Sequence, residues 1–209
     1  MKPIAISRSR ARQAVLGACL GAALLAGCAP LVVGGAMVGG TLMFMDRRTT
    51  GAQVDDQAIE LKAGNRIKDL GGSNAHVNVT SYNRTVLLTG EVATDADRSA
   101  LEQAVQRIEN VRSTVNELGV MPPSAIGSRS QDTVITSKVK ATLVDARDLQ
   151  ANAFKVVTER SVVYLMGRVT EREAGRATEL ARAVSGVQKV VRVFEVVTEA
   201  ELAESAPKK

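Results

Sequence analysis

Aromatic residues are nearly missing from this chain, at 2% of 209 residues with no Trp, two Tyr and three Phe. A core without them must be assembled from Val, Leu, Ile and Ala. The stacking platforms of single-stranded nucleic-acid binders and aromatic sugar-binding clefts are disfavoured, so no nucleic-acid partner is expected. Histidine is confined to His76 and cysteine to Cys19 and Cys28. That excludes the usual His- and Cys-rich zinc sets and Cys-His chemistry. A Ser-His-Asp triad would have to be built around His76 alone, without a Gly-x-Ser-x-Gly elbow. No Gly-rich loop ends in Lys-Ser or Lys-Thr, so there is no P-loop. The carboxylate pairs Asp55-Asp56 and Glu171/Glu173 fall at expected helix starts, where they complement the helix dipole. The expectation is a protein without catalytic residues, cofactor or metal.

Acidic residues are also absent where the charge is highest. Lys2, Arg8, Arg10 and Arg12 give residues 1–27 a charge of +4 out of the net +5, which leaves +1 for everything after Gly27. An apolar run from Ala14 to Leu25 follows and ends in Leu25-Ala26-Gly27-Cys28. This is the layout of a secretory signal peptide, and its end resembles the lipobox of bacterial lipoproteins. The resemblance implies cleavage before Cys28, with a diacylglycerol on its sulfur and an N-acyl chain as the only non-protein groups. Cys19 leaves with the leader and an acylated Cys28 has no thiol, so no disulfide is expected. In lipoproteins of this kind an Asp after the Cys favours inner-membrane retention, so Ala29 implies the outer membrane, with the protein facing the periplasm. Residues 29–45 are uncharged and Gly-rich, with Gly35 and Gly39 at small-xxx-small spacing. They are short for a membrane span, which needs about 20 residues. A lipid-proximal tether is the expectation, and a glycine-mediated helix pair the alternative.

The remainder repeats itself. Asn78 to Val92 aligns with Lys155 to Val169 at a constant offset of 77, and a one-residue shift then aligns Leu101, Ala104, Val105, Ile108 and Val111 with Ala177, Leu180, Ala181, Val184 and Val187. Two copies of one small domain follow, separated by Met121-Pro122-Pro123-Ser124. In each copy the periodicity predicts helix, strand, strand, helix, strand. The first helices are expected over 57–69 and 131–147, and the last strands over 111–120 and 187–197. The second strand carries Val86, Leu88, Gly90 and Val92 on one face of the first copy, and Val163, Leu165, Gly167 and Val169 in the second. The glycines predict close approach of a helix to the sheet, and each copy is expected to close separately.

That element order, with Val86-Leu87-Leu88-Thr89-Gly90-Glu91-Val92 and Val163-Tyr164-Leu165-Met166-Gly167-Arg168-Val169, resembles the BON domain, a small α/β module of bacterial envelopes. The whole chain from the lipobox to about Val197 is similar to outer-membrane lipoproteins with two BON domains. The expected organisation is a leader over 1–27, a lipidated tether over 28–53, BON domains over 54–121 and 129–198, a linker over 122–128 and a polar tail over 199–209. Each domain would hold a three-stranded sheet packed by two helices. The resemblance implies binding of anionic phospholipid, such as phosphatidylglycerol, through the second domain, in support of outer-membrane integrity. A protein-binding adaptor for an outer-membrane assembly factor or the cell wall is the alternative.

Charge agrees with the first reading. Residues 55–120 hold seven Lys and Arg against ten Asp and Glu, a net of −3, whereas residues 129–198 hold twelve against eight, a net of +4. On the first helix of the second copy Ile135, Val139, Leu143 and Ala146 gather on a core face, and Val134 lies more than about 100° away, beside Lys138 and Ala141. An aliphatic tip next to an ammonium is the pattern of a shallow interfacial contact. Val134, Ser137, Lys138, Lys140 and Ala141 are therefore the candidate lipid-binding residues. Similar lipoproteins favour an aromatic at the Val134 position, and valine would anchor less strongly.

Overall fold

The computed structural model describes residues 46–70 and 75–205; the expected signal peptide, Cys28 and the Gly-rich tether lie outside the described residues. The first domain contains α1 (Thr50–Leu70), β1 (His76–Tyr82), β2 (Thr85–Val92), α2 (Asp95–Gln106) and β3 (Ser113–Val120). The second contains α3 (Ile126–Asp145), a 3-10 turn (Ala151–Ala153), β4 (Phe154–Glu159), β5 (Val162–Val169), α4 (Glu171–Arg182) and β6 (Lys189–Val196). The mixed α/β order expected from the periodicity is present in both. A short helix α5 (Glu199–Ser205) occupies the expected polar tail, and α3 begins at Ile126, inside the expected linker.

Local sequence explains the elements. In α1 the buried residues are Ala52, Asp56, Ile59, Ala63 and Ile67, the three- and four-residue spacing of one helix face. In α3 they are Asp132, Ile135, Val139 and Leu143, the same stripe 76 residues on. Both α2 and α4 open with capping boxes, Thr94 with Asp97 and Thr170 with Glu173, each satisfying two otherwise free backbone N–H groups. In each sheet the middle strand pairs antiparallel with the first and parallel with the third. The parallel pair needs a crossover, supplied by α2 and α4.

Two-residue hairpins join the antiparallel strands, and both central residues of each have positive φ: Asn83 at 49° and Arg84 at 65°, Arg160 at 50° and Ser161 at 61°. Residues other than glycine tolerate this because a buried carboxylate receives the turn. Asp56 accepts the backbone N–H groups of Asn83 (2.8 Å) and Arg84 (2.7 Å); Asp132 accepts those of Arg160 (2.9 Å) and Ser161 (2.8 Å). This corrects the expected capping role of Asp56, which lies a turn and a half inside α1 and clamps a hairpin. Glu173, by contrast, sits in its capping box.

One face of each sheet carries its own helices. Val86, Leu88 and Val92 pack with Ile59, Ala63, Leu101 and Val105; Val163, Leu165 and Val169 pack with Ile135, Val139, Leu143 and Ala177. The other faces meet each other: Tyr82 and Leu87 of the first domain bury against Tyr164 and Met166 of the second. The domains are therefore not separately closed. Strands buried on both faces lose the clean apolar-polar alternation, as the unbroken runs Val86-Leu87-Leu88 and Val162 to Met166 display.

The two glycines also differ from expectation. What lies close to them is a backbone carbonyl, not a helix. A Cβ on Gly90, whose φ is +111°, would stand 2.0 Å from the His76 carbonyl oxygen, and one on Gly167 would stand 2.4 Å from that of Ala153. Gly90 admits the start of β1 and Gly167 the last residue of the 3-10 turn that leads into β4, and each is structural in that sense.

Candidate membrane-facing surface

Burial of Ile135, Val139 and Leu143 fixes the roll of α3, and everything opposite them faces solvent. Val134, Ser137, Lys138, Lys140 and Ala141 are all exposed, so the five candidate residues share the solvent side of one helix, with Lys140 on the far flank from Lys138. Two residues that sequence reasoning missed extend the surface: Ile126 is 81% and Val144 68% exposed, against 52% for Val134. At about 100° per residue, positions 126, 130, 134, 137, 141 and 144 fall within an arc of roughly 80°. The signal is present as Ile, Ser, Val, Ser, Ala and Val at spacings of three and four, hidden because Ile126 falls within the expected linker.

The polar members of this face are internally satisfied. Ser130, Thr133, Ser137 and Thr142 donate their hydroxyls to the carbonyls of Ile126, Arg129, Thr133 and Lys138, at 2.9 to 3.1 Å. Hydroxyls turned back onto the helix need less water, which lowers the cost of bringing the face to a lipid interface. Among the described residues neither Lys138 nor Lys140 forms an ion pair, whereas Lys62 of the first domain pairs with Glu109 at 3.2 Å. Lys138 and Ala141 also border a shallow groove of about 420 Å³ between α3 and α4, with Leu180 and Val184. No helix among the described residues is long and apolar enough to cross a membrane.

Charged groups converge at two other places. Arg47, three residues before α1, reaches both carboxylate oxygens of Glu173 at 2.7 and 2.8 Å and the carbonyl of Arg168 at 3.1 Å. The Arg47 hydrogen bonds, opposed by burial, hold the Glu173 carboxyl below its usual value. Arg48 pairs with Asp56 at 2.8 Å and lies over the Tyr82 ring at 4.5 Å. Arg47 and Arg48, just before α1, thus engage both domains.

The second convergence is at the domain seam. His76 Nδ1 lies 3.2 Å from Glu91 Oε2; Arg160 Nε donates to Glu91 Oε1 at 2.5 Å, and the Ser124 N–H to Oε2 at 3.1 Å. Burial alone would raise the Glu91 carboxyl, but the Ser124 N–H, Arg160 and His76 outweigh it and hold it low. Across the seam Glu159 accepts the Asn78 amide at 2.9 Å, and burial pushes its carboxyl up.

The BON domain model matches residues 55–122 and 131–198. The chain is 37% identical over 179 residues to the outer membrane lipoprotein DolP of Haemophilus influenzae, covering 84% of this chain and 92% of that one. It is 34% identical over 155 residues to the 21 kDa hemolysin of Actinobacillus pleuropneumoniae, covering 73% and 80%, and 28% identical over 141 residues to the osmotically-inducible protein Y of Escherichia coli, covering 66% and 70%.

Proposed function

The chain belongs to the BON domain family, and we propose on that premise that it is an outer-membrane lipoprotein, anchored through Cys28, whose second domain rests α3 on anionic phospholipid. The observation that carries this reading is the exposed α3 face, weakly apolar along about 30 Å of helix and flanked by Lys138 and Lys140 without acidic partners. Each lysine near an anionic surface contributes roughly 1 kcal/mol, and Ile126, Val134 and Val144 add shallow apolar contact. Such a surface binds weakly by itself. Attached to an acyl anchor it needs no more, because tethering raises its effective concentration at the membrane. Among anionic lipids, phosphatidylglycerol is the expected partner, and the role is support of the outer membrane rather than catalysis.

The test uses residues 46–209 without the anchor, so that only the domain contact is read. The double variant Val134→Glu, Lys138→Glu adds one charge to the apolar face and reverses another. Binding to vesicles containing phosphatidylglycerol should fall at least tenfold, which is about 1.4 kcal/mol, and vesicles of phosphatidylcholine alone should bind little of either protein. The protein-binding adaptor is favoured by a different observation: Val54 and Leu61 are 60% and 70% exposed, seven residues apart on α1 of the acidic domain. Undiminished vesicle binding by the double variant would transfer the reading to that surface.

A further inference from the structure

The seam between the domains holds a set of ligands that neither domain holds alone. Nitrogen and oxygen atoms of His76, Glu91 and Glu159 lie within 4.8 Å of one another. The His76 Nδ1 to Glu91 Oε2 distance of 3.2 Å is close to the ~3.3 Å separating two ligands of a tetrahedral ion with bonds of about 2.0–2.1 Å. Charge is unbalanced there. The Glu91 side chain is fully buried and answered by Arg160. Glu159 is 7% exposed and forms no ion pair among the described residues, although a buried carboxylate ordinarily requires a cation or a proton. Asp132, the third carboxylate nearby, is taken up by the hairpin N–H groups; Arg129 borders the same cavity and donates to the Ser124 hydroxyl, and among the described residues it forms no ion pair with Glu159.

The internal repeat supplies a comparison. At the offset of 77, His76 corresponds to Ala153, Glu91 to Arg168 and Glu159 to Tyr82. The equivalent corner thus has a guanidinium where this one has a carboxylate, and its Arg168 stands 3.6 Å from Glu195. The excess of carboxylate is particular to one corner and is not a product of the BON fold.

We propose that His76, Glu91 and Glu159 bind a divalent transition-metal cation of the zinc class. One imidazole and two carboxylates suit such an ion, whereas magnesium and calcium take oxygen ligands. The ion replaces the proton shared by His76 Nδ1 and Glu91 Oε2 and leaves Arg160 on Oε1, so that Arg160 and the Ser124 N–H orient the ligand carboxylate. A cavity of about 190 Å³ bordered by His76, Glu159 and Thr158 leaves room for water to complete the coordination. Because Glu159 belongs to one domain and His76 and Glu91 to the other, the ion fastens the seam.

The experiment titrates zinc ion into the full chain in detergent, free of any polyhistidine tag and stripped with chelator, by calorimetry and thermal melting, with magnesium ion as the control. One zinc ion per chain, proton release on binding, a raised melting temperature and no response to magnesium are expected. His76→Gln and Glu159→Gln should each weaken zinc binding at least tenfold. Circular dichroism checks their folding, and should His76→Gln not fold, Glu159→Gln, which keeps the side-chain volume, decides. Zinc binding of equal strength in wild type and Glu159→Gln would overturn the site. So would a wild type indifferent to zinc with Glu159→Gln melting higher, since the seam would then take a proton instead.

Discussion

Gly90 and Gly167 occupy equivalent positions yet are not equivalent in strain. Gly90 combines a positive φ with the shorter approach to a carbonyl, 2.0 Å against 2.4 Å for Gly167. A backbone oxygen in a paired strand cannot swing away as a side-chain tip can. Gly90→Ala should therefore cost about 3 kcal/mol in urea unfolding, from the contact and the disfavoured backbone together, and Gly167→Ala measurably less. Equal, negligible losses would mean that the strand start yields. The same scale explains Asp56 and Asp132, each of which fixes two left-handed residues from a helix far away in sequence.

At the scale of elements, the N-terminus of α4 holds Arg47, three residues before α1, against the second domain. Arg47 and Glu173 have side chains 9% and 5% exposed, so losing one partner strands a charge in poor solvent. Arg47→Met should lower stability by on the order of 2 kcal/mol at neutral pH. Glu173 has its folded value held below its ordinary 4.5. Stability from a lowered carboxyl is complete above the ordinary value and is lost as pH falls through the lowered one. The difference between wild type and Arg47→Met, followed by thermal melting, should thus hold at pH 7 and narrow under acid; a constant difference would assign the effect to packing alone. Opposite it in character is α3, whose outward face gains nothing from the fold and is free for a surface.

For the whole molecule the joint between the sheets is decisive. Leu87 is fully buried, but it belongs to the cluster with Tyr82, Tyr164 and Met166 and not to the core of its own domain. Leu87→Asp places a charge between the sheets without touching Val86 or Leu88. Calorimetry should then resolve two unfolding transitions where wild type gives one, with the second domain keeping most of its own stability. A single, unshifted transition would show that the sheets do not depend on each other. Both tyrosines of this aromatic-poor chain are spent on that joint.

The offset of 77, the helix start at Glu171/Glu173, the alternating core face of β2 and β5 and the outward roll of Val134 and Lys138 were all legible in sequence. Each depends on neighbours within a few turns or on the comparison of one copy with the other. Periodicity reports that a face is buried but not what covers it: the unbroken apolar runs through Leu87 and Met166 mark strands buried on both faces, but nothing in them names the opposite sheet as the cover. The pairing of Arg47 with Glu173, 126 residues apart, and of Arg160 with Glu91, 69 apart, had no local signature. His76 read alone excludes a His-rich metal set; the pairing of β1 with β2 sets Glu91 opposite it, and only the packing of two domains brings Glu159 beside them. Partners so distant in the chain meet because two apolar sheet faces leave water together, and the side chains at the rim of that contact are carried into place by it.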